Sequence, residues 1–330
     1  MTERNLKKIF QAVLESVAAG DAMGLATEGK TREEIQKLYP VIEGLLPMDP
    51  NSSRKDEIPG TITDDMGQNL YLMNAYIADR RVTIENSVDA LQKWVVETNG
   101  DRFMGPSSRH ALQAIANGES VYTAGKNGTT DGGVMRMPSV VLCSSLQEPA
   151  KLDEAIKCAC IPTHNTSSAL IPAYAYAYAL REALLGSDME TIIDTAIRIS
   201  EEKLADMETI ISGPSCAKRL AKIRSEMPYA DEETFLDTIY SVYGTTLISI
   251  ETYTAVMAIF MYCGKDVYRA LRMAVGIGGD TDSIAALVGA LCAAYAGGHN
   301  IPSEIVDTIA EVNALDCTKL ASDAVEIFQK

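Results

Sequence analysis

Two stretches far apart in the chain combine carboxylates and hydroxyls beside glycine. One reads Gly60-Thr61-Ile62-Thr63-Asp64-Asp65-Met66-Gly67, the other Gly276-Ile277-Gly278-Gly279-Asp280-Thr281-Asp282-Ser283. Each lies between a glycine-bearing loop and an apolar run with helical spacing. Hard divalent cations such as Mg²⁺ take oxygen ligands from carboxylates, hydroxyls and water. Folded against each other, the two clusters could supply most of the shell of a two-metal site.

Geometry limits how they could do so. On a regular helix Asp280 and Asp282 would point to nearly opposite sides. They converge only if the backbone turns there, which Gly278 and Gly279 permit. The competing reading is an acidic helix cap, in which the carboxylates satisfy free N–H groups and the helix dipole. The same choice holds for Thr63-Asp64-Asp65, which precedes Leu70, Met73, Tyr76 and Ile77. An EF-hand is excluded, because Ala285 stands where that loop needs glycine and Leu291 where it needs a bidentate Glu. No dinucleotide-binding G-x-G-x-x-G and no G-x-S-x-G nucleophile turn is present. In Gly20-Asp21-Ala22-Met23-Gly24, Asp21 either caps a helix-ending loop or supports a metal site from behind. Glu28 could act as a mobile carboxylate near substrate. His164, in Pro162-Thr163-His164-Asn165, reads first as a structural histidine, and His110 and His299 have no informative neighbours.

The elements that must position these groups read as helices almost throughout. Leu6, Ile9, Phe10, Val13, Leu14 and Val17 follow helical spacing, with Gly20 as the expected end. Thr31-Arg32-Glu33-Glu34 is a capping box for a short helix that stops at Pro40. Val88, Leu91, Trp94 and Val95 form another stripe. Further helices are expected over 167–185, 188–211, 215–226, 231–242, 246–262, 265–274, 282–296, 302–313 and 317–329, with loops over 47–60 and 125–133. The alternation Ala173-Tyr174-Ala175-Tyr176-Ala177-Tyr178-Ala179 has a strand-like period of two, but its Ala/Leu-rich surroundings favour helix. With no strand series and no βαβ alternation, the reading is one compact all-α domain over 1–330.

With 330 residues, 47% of them hydrophobic, and a mean hydropathy near zero, the chain has material for a sizeable core. A net charge of −16 argues against a sequence-independent nucleic-acid binder. No apolar run is long enough to span a membrane and no signal-peptide core is evident. Seven cysteines without a paired C-x-x-C read as thiols of a reducing compartment, so the expected location is cytoplasmic.

In this order, the motifs resemble those of the ADP-ribosylglycohydrolase family, which includes dinitrogenase reductase-activating glycohydrolase and the ADP-ribosyl-acceptor hydrolases. The resemblance rests on Gly20-Asp21-Ala22-Met23-Gly24, Thr63-Asp64-Asp65, Gly105-Pro106-Ser107-Ser108 with Ala111-Leu112, Asp131-Gly132-Gly133-Val134-Met135-Arg136 with Pro138, Thr163-His164 with Ala169, and Gly278-Gly279-Asp280-Thr281-Asp282-Ser283. It implies an orthogonal multi-helix domain with a dinuclear Mg²⁺ or Mn²⁺ cleft. By position, Thr63, Asp64, Asp65, Asp280, Asp282 and Ser283 would be the metal ligands. Gly105, Ser107, Asp131, Gly132, Gly133, Val134 and His164 would line the substrate side. Asp65, Asp280 and Glu28 are the candidate catalytic carboxylates.

The chain also departs from the family pattern. Met66 follows the acidic pair where Thr is usual, Thr166 and Ser167 replace His and Pro, and Phe103 stands where nitrogenase-type members carry an acidic residue. Asp131 replaces an Asn, placing a carboxylate where phosphates would pass. The metal half of the motif set is therefore intact while the ligand-facing half has drifted. The leading expectation is a metal-dependent glycohydrolase that cleaves the C1 bond of a ribosyl group, most directly ADP-ribose on a modified side chain. The alternatives are a hydrolase of a smaller ribosyl compound, such as a nucleoside or nucleotide, and a non-catalytic crystallin-like relative.

Overall fold

The computed structural model describes residues 3–207, 210–226 and 231–329. Among them are sixteen α-helices and, apart from one isolated bridge between Thr130 and Ile248, no β-structure. The chain runs α1 (Glu3–Gly24), α2 (Arg32–Leu38), α3 (Asp64–Asp79), α4 (Ile84–Thr98), α5 (Pro106–Ala116), α6 (Met137–Leu142), α7 (Pro149–Cys160) and α8 (Ser167–Leu185). It continues with α9 (Met189–Ala205), α10 (Cys216–Glu226), α11 (Glu232–Thr238), α12 (Ser249–Cys263), α13 (Val267–Val275), α14 (Thr281–Ala296), α15 (Ser303–Asn313) and α16 (Cys317–Phe328).

The central pair is α1 against α14. Its geometry follows from small residues spaced four apart on each helix. A Cβ on Gly20 would lie 2.3 Å from the Ala285 carbonyl carbon, and one on Gly289 would lie 2.8 Å from the Ser16 carbonyl oxygen. Backbone meets backbone here, and that is why α1 does not end at Gly20 as expected but continues to Gly24. Helices α8, α12 and α14 are buried on nearly every face and form the middle of the core. The alternating Tyr/Ala run lies inside α8. Tyr176 donates to the Leu287 carbonyl on α14 at 2.8 Å, whereas Tyr178 donates to Asp153 on α7 at 2.8 Å. A helix buried between two partners accommodates large residues on both sides, which accounts for the strand-like period.

Most expected helices lie within a few residues of their observed bounds, and the Thr31 capping box is present. Helix α9 ends at Ala205, short of 211, and positions 208 and 209 of that expected run lie outside the described residues. The 231–242 run is α11 followed by a π turn over Ile239–Tyr243. Helices α5, α6 and α7 were not expected, although each has a proline at its first or second position, a helix-opening signal, and α7 buries Leu152, Ala155, Ile156 and Ala159 on one helical face. All seven cysteines are free. No described helix is long and apolar enough to cross a membrane.

Candidate metal centre

The two acidic clusters meet at the N-termini of α3 and α14. Thr63 precedes α3 and Asp280 precedes α14, yet neither side chain caps its helix. Side-chain capping by these two residues is therefore absent, although Asp64, Asp65 and Asp282 stand in the first turns, where the helix dipole favours carboxylates. The cap of α3 comes instead from α1: Asp21 accepts from the Thr63 N–H at 2.9 Å, the Thr63 hydroxyl at 2.7 Å and the Met66 N–H at 2.8 Å. This carboxylate from another helix satisfies orphan donors and fixes the start of α3.

At α14, Gly278 and Gly279 take φ values of +92° and +83°, a conformation L side chains rarely adopt. Asp280 is non-helical, with φ −88° and ψ 68°, so it lies outside the helix while Asp282 lies in its first turn. This turn breaks the helical register that would otherwise hold the two carboxylates on nearly opposite sides. It is anchored by Gly29 N–H to Gly279 O at 2.8 Å and Asp280 N–H to Thr245 O at 2.7 Å.

The clusters touch directly. The Ser283 hydroxyl donates to Asp65 Oδ2 at 3.0 Å, and the Thr63 hydroxyl lies 3.5 Å from Asp282 Oδ2. One oxygen each from Asp21, Asp65 and Asp282 falls within 4.8 Å of the others. Both oxygens of Asp21 are already engaged by N–H and O–H donors, so it braces the cluster rather than facing an ion. By contrast, Asp65 Oδ1, Asp280 Oδ2 and Asp282 Oδ1 are buried with no hydrogen-bond partner. Buried carboxylate oxygens without donors are costly. Oxygens of Asp65 and Asp282 lie within 4.8 Å of each other, and Asp280 is close enough for their charges to act on it; unpartnered carboxylate oxygens so grouped fit a donor set for hard cations. Burial first, then the Asp282 charge, pushes Asp64 and Asp65 well above the carboxylate range; for Asp280 the second cause is Asp131. Burial and the Asp282 charge push Asp21 up to about 7. Divalent cations would offset this mutual repulsion.

Glu28 stands against Asp282, and burial and that charge push it up to about 9 despite a bidentate pair with Arg54 at 2.5 and 2.9 Å. Asp131 lies beside Asp280 and accepts from the Thr252 hydroxyl at 2.7 Å. The loop carrying it is tied to the segment before α12 by Asp131 N–H to Leu247 O at 3.0 Å. That segment also holds Asp280, so one strand of backbone registers both loops.

The remaining expected substrate residues divide. Gly105 opens α5 with free space around its Cα, and Ser107 is half-buried beside it. Val134 is fully buried, so only its backbone is available to a ligand. His164 is fully buried beneath Gly132, where a Cβ would meet its ring at 2.7 Å. Its Nδ1 is 2.7 Å from the Thr163 hydroxyl and its Nε2 is 2.9 Å from the Thr130 hydroxyl. Arg136 donates to that same Thr163 hydroxyl at 2.6 Å, which therefore donates its own proton to His164 Nδ1. Nε2–H then donates to Thr130. Burial and Arg136 hold the ring neutral, well below its usual pKa.

Arg136 belongs to one of the sequence motifs, but no role was read for it there. Fully buried, it also donates to Gln68 at 2.8 Å and Ser108 at 2.8 Å, and Gln68 donates in turn to Asp64 at 3.3 Å. One guanidinium thus joins the acidic end of α3, the start of α5 and the His164 loop. A buried Arg with only neutral acceptors is unusual enough to have flagged it, but no local spacing does so.

The chain is 27% identical to the uncharacterised YegU protein of Escherichia coli, covering 100% of this chain and 98% of that protein. It is 28% identical to an uncharacterised protein of Archaeoglobus fulgidus, over 98% of each. It is 22% identical to the human ADP-ribosylhydrolase ARH3, over 97% of this chain and 94% of that protein. A solved ADP-ribosylglycohydrolase-related protein complex shares the fold, with a TM-score of 0.71, 23% identity, and 98% and 99% of the two chains covered. The family model for ADP-ribosylglycohydrolases matches residues 2–330; the chain belongs to that family, and membership supports a glycohydrolase role.

Proposed function

We propose that this protein is a dinuclear metal-dependent glycohydrolase that breaks the C1 bond of a ribosyl group, with ADP-ribose on a modified side chain as the first substrate class. The observation that carries this reading is that Asp65 and Asp282 bring carboxylate oxygens within 4.8 Å of each other while one buried oxygen on each of Asp65, Asp280 and Asp282 has no hydrogen-bond partner. A non-catalytic, crystallin-like relative would gain nothing from so costly an arrangement.

In this reading Thr63, Asp64, Asp65, Asp280, Asp282 and Ser283 hold two Mg²⁺ or Mn²⁺ ions. When bound, these would supply Lewis acidity and positive charge at the ribose hydroxyls. Asp65 and Asp280 oppose the positive charge that develops at C1 in an oxocarbenium-like transition state. Glu28, outside the ligand set and oriented by Arg54, would take the proton of the attacking water once bound cations offset the burial and neighbouring carboxylate charge that hold it protonated in their absence. Gly105, Ser107 and the backbone of Gly132, Gly133 and Val134 border the ribosyl group. His164 sets that loop from below.

A second reading, hydrolysis of a smaller ribosyl compound, is favoured by Asp131. It adds a carboxylate beside Asp280 that would repel a diphosphate. A substrate panel with Mg²⁺ or Mn²⁺, with and without chelator, decides between them. Chelator-sensitive turnover of ADP-ribosyl-arginine peptides supports the first reading. Turnover confined to nucleosides or their monophosphates replaces it with the second. Turnover untouched by chelation would sink both.

A further inference from the structure

The loop over 47–60 is pinned at both ends. Tyr39 donates to the Pro47 carbonyl at 2.8 Å and Lys30 pairs with Asp49 at 3.5 Å. At the far end, Asn313 donates to the Gly60 carbonyl at 2.8 Å and accepts from the Ile62 N–H at 3.2 Å. Between these pins, Arg54 and Glu57 reach out of the loop to two different walls.

Arg54 takes Glu28 in a two-pronged pair at 2.5 and 2.9 Å, and Glu28 stands against Asp282 of the metal centre. The same guanidinium lies 5.1 Å from the centre of the Phe103 ring, just before α5. Arg102 also lies over that ring, at 4.4 Å, and pairs with Glu57 at 2.9 Å. Glu28, Arg54, Phe103, Arg102 and Glu57 therefore form one continuous clasp. It runs from the metal wall through the loop to the substrate wall. The Arg54 side chain is only 25% exposed, so its charged contacts are screened by water and salt less than an exposed pair would be.

We propose that Arg54 is a positioning residue that clasps the 47–60 strap across the cleft and fixes where the Glu28 carboxylate stands relative to the metal centre. A planar fork suits this task because it engages both carboxylate oxygens while its face packs on an aromatic ring, which a lysine ammonium cannot reproduce. Phe103 then serves as the platform for the fork.

The inference rests on the proposed role of Glu28, so its test has one arm that needs no turnover. Hydrogen exchange of the strap is compared in wild type, Arg54→Ala and Arg54→Lys, and kcat/KM is measured alongside. Faster strap exchange is expected in Arg54→Ala at unchanged global stability. We also expect a loss of about 10²-fold in kcat/KM, the scale of a catalytic group misplaced by about 1 Å. Added guanidinium should restore part of the rate, Arg54→Lys should fall between, and Arg54→Ala should cost nothing further in a Glu28→Gln background. Wild-type exchange in a folded Arg54→Ala protein, or full additivity with Glu28→Gln, overturns the clasp. Absence of ribosyl hydrolysis in wild type removes the glycohydrolase reading alone, and the strap exchange still decides the clasp.

Discussion

Gly24 is the position at which the packing of the fold and the geometry of the proposed metal centre can be tested with one methyl group. A Cβ there would sit 2.4 Å from the Asp282 Cα and 2.5 Å from its amide nitrogen. Ordinary carbon contacts lie near 3.5–4.0 Å, so α1 and α14 must part locally by about 1 Å. Overpacking of this kind costs about 1–3 kcal/mol of stability. The displaced atoms belong to Asp282 of the proposed metal centre rather than to inert core. Disturbing the supports of metal ligands typically lowers affinity by about 10–100-fold. Gly24→Ala is therefore expected to lower both the unfolding free energy and the Mn²⁺ affinity. Denaturant unfolding measures the first and calorimetric titration the second. Gly298→Ala, where an added Cβ meets nothing within 4 Å, serves as the control and should be nearly silent. If Gly24→Ala matches wild type in both assays, the close α1–α14 approach does not position Asp282.

The crowded carboxylates make metal-free stability depend on pH. Asp21 is raised from 3.8 to about 7 and Glu28 from 4.5 to about 9, so the native state holds protons that the unfolded chain has released. Stability in chelator should fall as pH rises between about 4 and 9, and saturating Mg²⁺ should flatten the slope; a rise with pH in chelator contradicts this. Asp282→Asn should raise metal-free stability by removing the charge that most neighbours feel, while abolishing metal binding. Loss of both would mean that Asp282 serves the fold first. His164→Ala leaves two buried hydroxyls short of a partner and a cavity beneath Gly132, so a loss of about 2–4 kcal/mol is expected in thermal unfolding. A silent substitution would show that His164 does not support that loop.

The ends of the site were more legible in the sequence than its middle. The two glycine-flanked acidic clusters announced themselves because hard-cation chemistry needs carboxylates, and a turn at Asp280 needs residues tolerant of positive φ. What local spacing could not convey was how each cluster is braced. Asp21 could have been read as a cap for its own helix; it caps α3, a partner choice that only tertiary packing makes. Arg136 stood in a motif without a role and Arg54 was not singled out, one because its neutral acceptors come from three separate segments, the other because it lies in a polar loop with no period. The alternation in α8 misleads for a related reason, since period two marks two buried faces whether the backbone is a strand or a helix between partners. Gly20 looked like a helix stop because its role, letting α14 approach, belongs to another helix.

The central claim is that the meeting of Thr63-Asp64-Asp65 with Asp280-Thr281-Asp282-Ser283 holds two divalent cations. Anomalous scattering from crystals grown in saturating Mn²⁺ tests it most directly. Two peaks between the start of α3 and the start of α14, each within bonding distance of an oxygen of Asp65, Asp280 or Asp282, are predicted. No peak there would contradict the account, and the orphaned carboxylate oxygens would then need another explanation.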